Sequence, residues 1–489
     1  MLNLADALQS HARNLPDREA IIERGEALSH GQLFERVLKI ATYFSMKSFE
    51  PHAIVGVALR DTGVHLSILY GLARAGLVIL PMDCRWTPVE KERVARHFGA
   101  CLVLCDSGDT LAPDIPAEIV DSGWLAMVEK QQPLHSFVSS GDTPLLLSLS
   151  SGTTGRPKGP MIQHKHFFRR FMTHWINLGL NGRQRFMSAT PLYFGGGRTF
   201  AMSILFSGGT VIMNPPPYQP LDLIAALEQT RATSLFLVPT SLRRLLEQID
   251  ADLAPLHKLD LLISSGAPLT PSERHDIRHR LCRNFFEYYA STEGGGISLL
   301  SPEDHTLYPD SVGRPIFSVE VEVVDDADKP LPSGQVGFLR YRGPGVAEGY
   351  YRDADASRKA FRDGWFYPGD LAALNERGYI FLRGRRKDMI LRGGVNIYPS
   401  EIEATLMVHP AVVEAAVFAI PSVEFGEEVA AFVQPRKAID VAALREWCGE
   451  RLASYKQPKI IALVDAIPRN SAGKVVKSDL VALLRAEAR

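Results

Sequence analysis

The stretch LSLSSGTTGRPKGP, residues 147–160, concentrates hydroxyl side chains, three glycines and one lysine. Glycines let a backbone approach phosphate oxygens, Ser151, Thr153 and Thr154 add donors, and Lys158 supplies a point charge for a polyphosphate. Leu145, Leu146, Leu147 and Leu149 predict a strand feeding this loop. Pro157 before Lys158 and Gly159 after it depart from G-x-x-x-x-G-K-[ST], which argues against a P-loop kinase. Pro157 also disfavours helix at Arg156 and predicts an extended, mobile lid. Taken alone, the stretch reads as well as a flexible surface turn, where Gly, Ser and Thr abound.

Three further stretches carry comparable chemistry. FFEYYASTEGGG, residues 285–296, sets the Thr292 hydroxyl beside the Glu293 carboxylate on an accessible turn. Glu293 suits Mg2+, which pairs one or two carboxylates with substrate phosphates, and Tyr289 offers a flat face to a base. In GWFYPGDLAALNERGYIFLRGRRKD, residues 364–388, Asp370 follows Gly369, so a tight turn holds a carboxylate whose two oxygens match a ribose diol. Arg385 reinforces the same ligand. In IPRNSAGKVVK, residues 467–477, Lys474 follows a flexible Ser-Ala-Gly segment. Each stretch has a plain alternative: a glycine-rich turn after a strand, an exposed hairpin with a solvated charge run, a solvated lysine near the chain end.

The elements that must position these residues read as α/β. At 489 residues the chain exceeds one ordinary core, so two or more domains are expected. The apolar runs at 53–59, 100–106, 233–239 and 259–266 predict buried strands, and 65–76 predicts a helix between the first two. Near residue 330 the pattern changes to period-two alternation, SVEVEVVD and then GQVGFLRYRG, which predicts antiparallel strands or a small barrel. A boundary is expected at 385–388, followed by a small α+β unit. In it Ser400 and Glu403 predict a capping box, 412–420 a strand and 441–455 an amphipathic helix.

Composition bounds the partners. With 46% hydrophobic residues, 22% charged and a net charge of −1, neither nucleic acid nor anionic lipid is electrostatically favoured. No run reaches the roughly 18 apolar residues that span a bilayer, and the first residues show no secretory signal. Five scattered cysteines suggest thiols in a reducing compartment, and Cys101 and Cys105 have no second pair to complete a zinc site. A cytoplasmic protein is expected.

Together, in this order, the four stretches resemble the adenylate-forming superfamily: acyl-CoA synthetases, adenylation domains of non-ribosomal peptide synthetases, and luciferases. The closest resemblance is to an acid–CoA ligase. S-G-T-T-G-x-P-K-G stands at 151–159, aromatic-x-x-T-E at 289–293, G-D-L at 369–371, G-R-x-K-D at 384–388 and a late G-K at 473–474. RGPGVAEGYYRD, residues 342–353, also belongs to the resemblance, which runs from near residue 10 to the end. It implies a large N-terminal domain, 1–386, of α/β subdomains plus a small β-barrel-like part, then a small mobile α+β C-terminal domain, 387–489, carrying the catalytic lysine.

The resemblance also implies roles. Ser151, Gly152, Thr153, Thr154, Gly155 and Lys158 would clamp the ATP phosphates, Thr292 would contact the α-phosphate and Glu293 would hold Mg2+. Tyr289 would stack on adenine beside the turn formed by Ser265, Gly266, Ala267 and Pro268, with Asp370 and Arg385 on the ribose. Lys474 would bridge the acid's carboxylate and the α-phosphate, and Lys387 would be the hinge about which the small domain turns. That turn would bring Arg392, Gly393 and Gly394 toward coenzyme A. Phe194, Gly195, Arg198, Ser265, Gly266 and Gly294 would line the acid pocket, Arg198 either facing the surface or pairing a second carboxylate.

Three positions depart from the family pattern: Phe194 replaces a histidine, Ala290 a glycine, and Pro160 an aliphatic residue. The implied reaction is ATP- and Mg2+-dependent activation of an aromatic or medium-chain/fatty acid as acyl-AMP, with pyrophosphate release and transfer to coenzyme A. No carrier-protein segment follows Lys474, so an intact multidomain synthetase is not expected. Loading of a separate carrier protein remains the alternative, and a non-catalytic binding protein of the same fold a remote one.

Overall fold

The computed structural model describes residues 3–135, 140–149, 157–248, 252–468, 475, 480 and 483–484. Two sheets of mainly parallel strands dominate the first three hundred or so residues. In one, the order is Ala117–Ile119, Leu102–Cys105, Ile54–Ala58, Val78–Pro81, Pro144–Leu147 and Met161–Gln163. All of it is parallel except the last pair. The other runs from Arg314–Pro315 through Gly295–Leu300, Phe285–Ser291, Leu261–Ser264, Ser234–Leu237, Arg185–Ser188, Thr210–Met213 and Glu19–Glu23 to Glu26–Ser29, with antiparallel strands at both ends.

These strands form because short runs of branched and aliphatic residues must be covered on both faces. Ile54–Ala58 is buried at every position. The helix Gly63–Arg74 that covers it is capped by Thr62, whose hydroxyl accepts from His65 N at 3.1 Å. The helix Pro88–Phe98 opens with a Thr87–Glu90 capping box and ends at Gly99 with φ +69°. Such sheets place ligand-binding loops beyond the carboxyl ends of the parallel strands. Loop 148–160 follows Pro144–Leu147, the 265–268 turn follows Leu261–Ser264, and the 292–294 turn follows Phe285–Ser291.

The alternating segment forms an antiparallel sheet, as expected. Gly337–Arg342 pairs with Glu320–Val324 and with Asp370–Leu374, which pairs in turn with Ile380–Arg385. Its apolar face packs Val323, Leu339, Tyr341, Phe366, Ala372 and Ile380 against Ile297.

Beyond the turn Arg386–Asp388 a second core begins. Ile390–Arg392, Val395–Ile397, Val412–Ser422, Gly426–Pro435 and Ile460–Leu463 make a sheet on which the helices Pro399–Met407 and Val441–Arg451 pack. The expected capping box is absent. Helix Pro399–Met407 starts at Pro399, whose fixed φ suits the first helical position, so Tyr398 occupies the cap position and Ser400 already lies inside the helix. Ser400 instead donates to Arg383 O at 2.9 Å, and Glu403 accepts from Val417 N at 2.9 Å.

Candidate active site

Residues 151–156 and Lys474 lie outside the described residues. The exit of the phosphate loop is described. Met161–Gln163 pairs antiparallel with Pro144–Leu147, and the helix His164–Leu178 begins only after that strand. The expectation that the loop does not lead straight into a helix holds at this end. Gly159 is needed here, because a Cβ would stand 2.8 Å from Leu147 Cδ1 and 3.3 Å from Phe98.

Lys158 Nζ lies 5.4 Å from the centre of the Tyr350 ring, and the Tyr350 hydroxyl donates to Glu293 Oε1 at 2.9 Å. One aromatic residue therefore links the phosphate-side lysine to the carboxylate. Tyr350 sits in the 342–353 segment, where sequence reading assigned it no role; its aromatic pair with Tyr351 was the available signal.

Glu293 is only 8% exposed, which corrects the expectation of an accessible turn. The hairpin is pressed against Tyr341: a Cβ on Gly294 would meet its hydroxyl at 2.2 Å. Ser291 Oγ lies 2.5 Å from that hydroxyl and accepts from Gly294 N at 3.0 Å. Thr292 remains partly exposed.

On the opposite side, Gly369 at φ +83° turns the chain so that Asp370 opens a strand opposite Arg385. Arg385 Nε donates to Asp370 Oδ1 at 3.1 Å, and the Tyr289 hydroxyl donates to Oδ2. Burial, reinforced by the Asp370 charge, holds the Tyr289 hydroxyl well above its usual pKa, so it remains the donor. A cavity of about 230 Å³ opens beside Asp370, bordered by Asp328, Phe338, Tyr367 and Arg386.

The acid-pocket residues converge in part. Phe194 precedes the helix Gly195–Phe206, and its Cζ lies 3.6 Å from where a Cβ on Gly266 would stand. Gly266, at φ +103°, leaves that side open. Ser265 is half-buried, whereas Ala267 and Pro268 are exposed. Sequence reading missed Phe236 and His174 in the deeper wall. Phe236 comes within 2.6 Å of a Cβ built on Gly196, Phe200 lies 4.9 Å from Phe236, and His174 stacks on Phe200 at 4.6 Å. Burial pulls the His174 pKa down to about 3, so that wall is uncharged at neutral pH.

Arg198 does not face the surface. At 2% exposure, its Nη1 donates to Leu192 O and Tyr193 O, each at 3.0 Å, and Nη2 to Ser148 Oγ at 3.4 Å. Its described partners are neutral oxygens rather than a carboxylate. Burial, and then the charge of Arg170, lower its pKa to about 9.

Lys387 lies in the exposed turn Arg386–Asp388 between the antiparallel sheet and the last sheet. Gly393 and Gly394, at φ +56° and +83°, form the turn after Ile390–Arg392. Arg392 donates to Glu428 Oε1 at 2.7 Å, and its guanidinium sits 3.9 Å from the centre of the Phe425 ring.

The model of the AMP-binding enzyme family matches residues 8–351, and that of the AMP-binding enzyme C-terminal domain matches residues 401–474. A feruloyl-CoA synthase of Amycolatopsis sp is 30% identical over 480 residues, 96% of each chain. A 2-succinylbenzoate–CoA ligase of Bacillus licheniformis is 29% identical over 97% of this chain and 98% of its own. Among solved structures, ATP-bound MatB from Rhodopseudomonas palustris superposes with a TM-score of 0.92 at 27% identity, over 100% of both chains. The chain belongs to the AMP-binding enzyme family and stands among the acid–CoA ligases of the adenylate-forming superfamily.

Proposed function

We propose that the chain is an ATP-dependent carboxylic acid–CoA ligase acting on an aromatic acid. The observation that carries this reading is the convergence of Lys158, Tyr350 and Glu293 on one side and Tyr289, Asp370 and Arg385 on the other. These are a polyphosphate cation, a buried carboxylate and a diol-binding carboxylate. The wall of Phe194, Phe200 and Phe236 favours a flat ring over a long chain, and two similar enzymes are named for aromatic acids. A medium-chain or fatty acid is the lesser candidate.

In the first half-reaction a carboxylate oxygen of the acid attacks the α-phosphorus, the bond to the β-phosphate oxygen breaks, and pyrophosphate leaves. Two anions must meet, so catalysis rests on positioning and charge neutralisation. Lys158, with Ser151, Gly152, Thr153, Thr154 and Gly155, takes the β,γ-phosphates. Thr292 takes the α-phosphate, Asp370 with Arg385 the ribose, and Lys474 the two reacting anions. In the second half-reaction the thiol sulfur attacks the acyl carbon, its proton passes to solvent, and AMP leaves.

Glu293 would hold a Mg2+ beside the phosphates. It is a buried hard-oxygen donor, and no group of three or more His, Cys, Asp or Glu among the described residues forms a protein-only metal site. The cation would neutralise phosphate charge.

The boundary between 386 and 387, with Lys387 as hinge, is part of this proposal. It is supported by separate apolar cores on either side of the turn Arg386–Asp388. Arg392, Gly393 and Gly394 would face coenzyme A after rotation of the small domain. We place the enzyme in the cytoplasm, where its free cysteines persist; no described helix is long and apolar enough to cross a membrane. Incubation with ATP, Mg2+, coenzyme A and a panel of aromatic and aliphatic acids tests the reading. An acyl-CoA with an aromatic acid is expected. Loading of a carrier protein with no acyl-CoA would favour the carrier alternative, and no product with any acid would favour the non-catalytic one.

A further inference from the structure

Arg170, on the helix His164–Leu178, is 5% exposed, and its guanidinium reaches two segments more than a hundred residues away. Nε donates to Gly345 O at 3.0 Å, and Nη2 to Glu293 O at 2.8 Å and Thr292 O at 3.4 Å. Ala347 N adds a second donor to Glu293 O at 2.9 Å. Two glycines make room for the side chain: a Cβ on Gly295 or on Gly345 would stand 2.9 Å from Arg170 Cγ. Burial lowers its pKa only to about 10, so it stays charged at neutral pH.

A buried guanidinium is costly to desolvate, and an apolar residue would fill the same space more favourably. The rigid fork does what an apolar residue cannot: it holds main-chain carbonyls of two segments at fixed separation. One of those segments carries the Thr292 hydroxyl and the Glu293 carboxylate.

We propose that Arg170 is a positioning residue for adenylation, locking the Thr292–Glu293 peptide so that hydroxyl and carboxylate meet the triphosphate and its cation together. This rests on the reading of the chain as an adenylating enzyme with Glu293 as the Mg2+ ligand.

The test uses the full chain with Arg170→Lys and Arg170→Gln, each checked for folding by near-UV circular dichroism. Three quantities are read: the Mg2+ concentration giving half-maximal acid-dependent ATP–pyrophosphate exchange, the effect of Mg2+ on ATP affinity by calorimetry, and thioester formation from supplied acyl-adenylate. The Mg2+ requirement should rise about 10- to 100-fold, the range for groups that hold a metal ligand in place. Mg2+ should strengthen ATP binding correspondingly less, while the thioester step stays within about threefold, since only the metal-linked step depends on the clamp. Arg170→Lys keeps the charge but carries its donors on a single nitrogen without the fork, and should fall between wild type and Arg170→Gln. It decides the matter should Arg170→Gln fail to fold. A folded variant with an unchanged Mg2+ response, or equal loss in both half-reactions, overturns the proposal. Absence of acid-dependent exchange in the wild type would instead overturn the adenylating reading, and the proposal with it.

Discussion

Tyr289 and Asp370 are eighty-one residues apart in sequence, yet the Tyr289 hydroxyl donates to one oxygen of the Asp370 carboxylate while Arg385 donates to the other. The strand register that sets Asp370 opposite Arg385 orients the carboxylate before any nucleotide arrives. In the proposed account a ribose diol exchanges with or joins these donors. Asp370→Ala should therefore raise the KM for ATP about 10- to 100-fold, as expected for hydrogen bonds to a charged group, and leave the KM for the acid unchanged. Tyr289→Phe should have a smaller effect in the same direction. Exchange kinetics at varied ATP check both, and an unchanged ATP KM in Asp370→Ala would refute the ribose role.

Gly197 in the helix Gly195–Phe206 abuts main chain: a Cβ there would stand 2.4 Å from the carbonyl oxygens of both Pro191 and Thr190. Backbone cannot yield as a side-chain tip does. Gly197→Ala should destabilise by at least about 1–3 kcal/mol in urea unfolding and raise the KM for the acid, because Phe194 rides on the same turn.

Acid should destabilise the fold through its buried histidines. Burial holds His30, His65, His164 and His166 down to about 4, and His174 and His305 down to about 3. In the unfolded chain a histidine titrates near pH 6.5. Between that value and about pH 4 the unfolded state binds more protons, so stability falls as pH falls, by up to about 1.4 kcal/mol per pH unit for each histidine. Asp61, pushed up to about 6 by burial, works in the opposite sense, because its folded form takes up the proton first. Glu287, also raised by burial, acts in the same sense as Asp61; six histidines against these two carboxylates leave net destabilisation, read as a falling urea midpoint from pH 7 to pH 4.5. A flat profile would contradict it.

Tyr350→Phe removes the hydrogen bond to Glu293 but keeps the ring beneath Lys158. Exchange should slow by about 10-fold, the worth of one hydrogen bond to a charged group at the low end, with the largest effect at limiting Mg2+. An unchanged rate at limiting Mg2+ would remove Tyr350 from the site.

The parallel strands were legible because a strand covered on both faces must be apolar throughout, as at Ile54–Ala58 and Leu102–Cys105. Asp370 was legible because Gly369 marks its turn. The failures have a common physical origin. Arg170 carried no reading and Arg198 an open one, because an arginine is a surface charge by default, and the carbonyls that hold them, such as Glu293 O for Arg170, are set by tertiary packing that no local pattern encodes. Ser400 and Glu403 matched a capping spacing, but Pro399 had already started the helix and both side chains found partners elsewhere. Phe236 and His174 reach the acid side from elements distant in sequence, each with an unremarkable periodic pattern.

The central claim, two half-reactions at one site served in turn by the small domain, is tested most directly by Lys474→Ala. Acid-dependent ATP–pyrophosphate exchange and thioester formation from supplied acyl-adenylate are measured side by side with wild type. The account predicts that exchange is abolished in the variant while thioester formation persists near the wild-type rate. Equal loss of both half-reactions, or exchange that survives without Lys474, would contradict it.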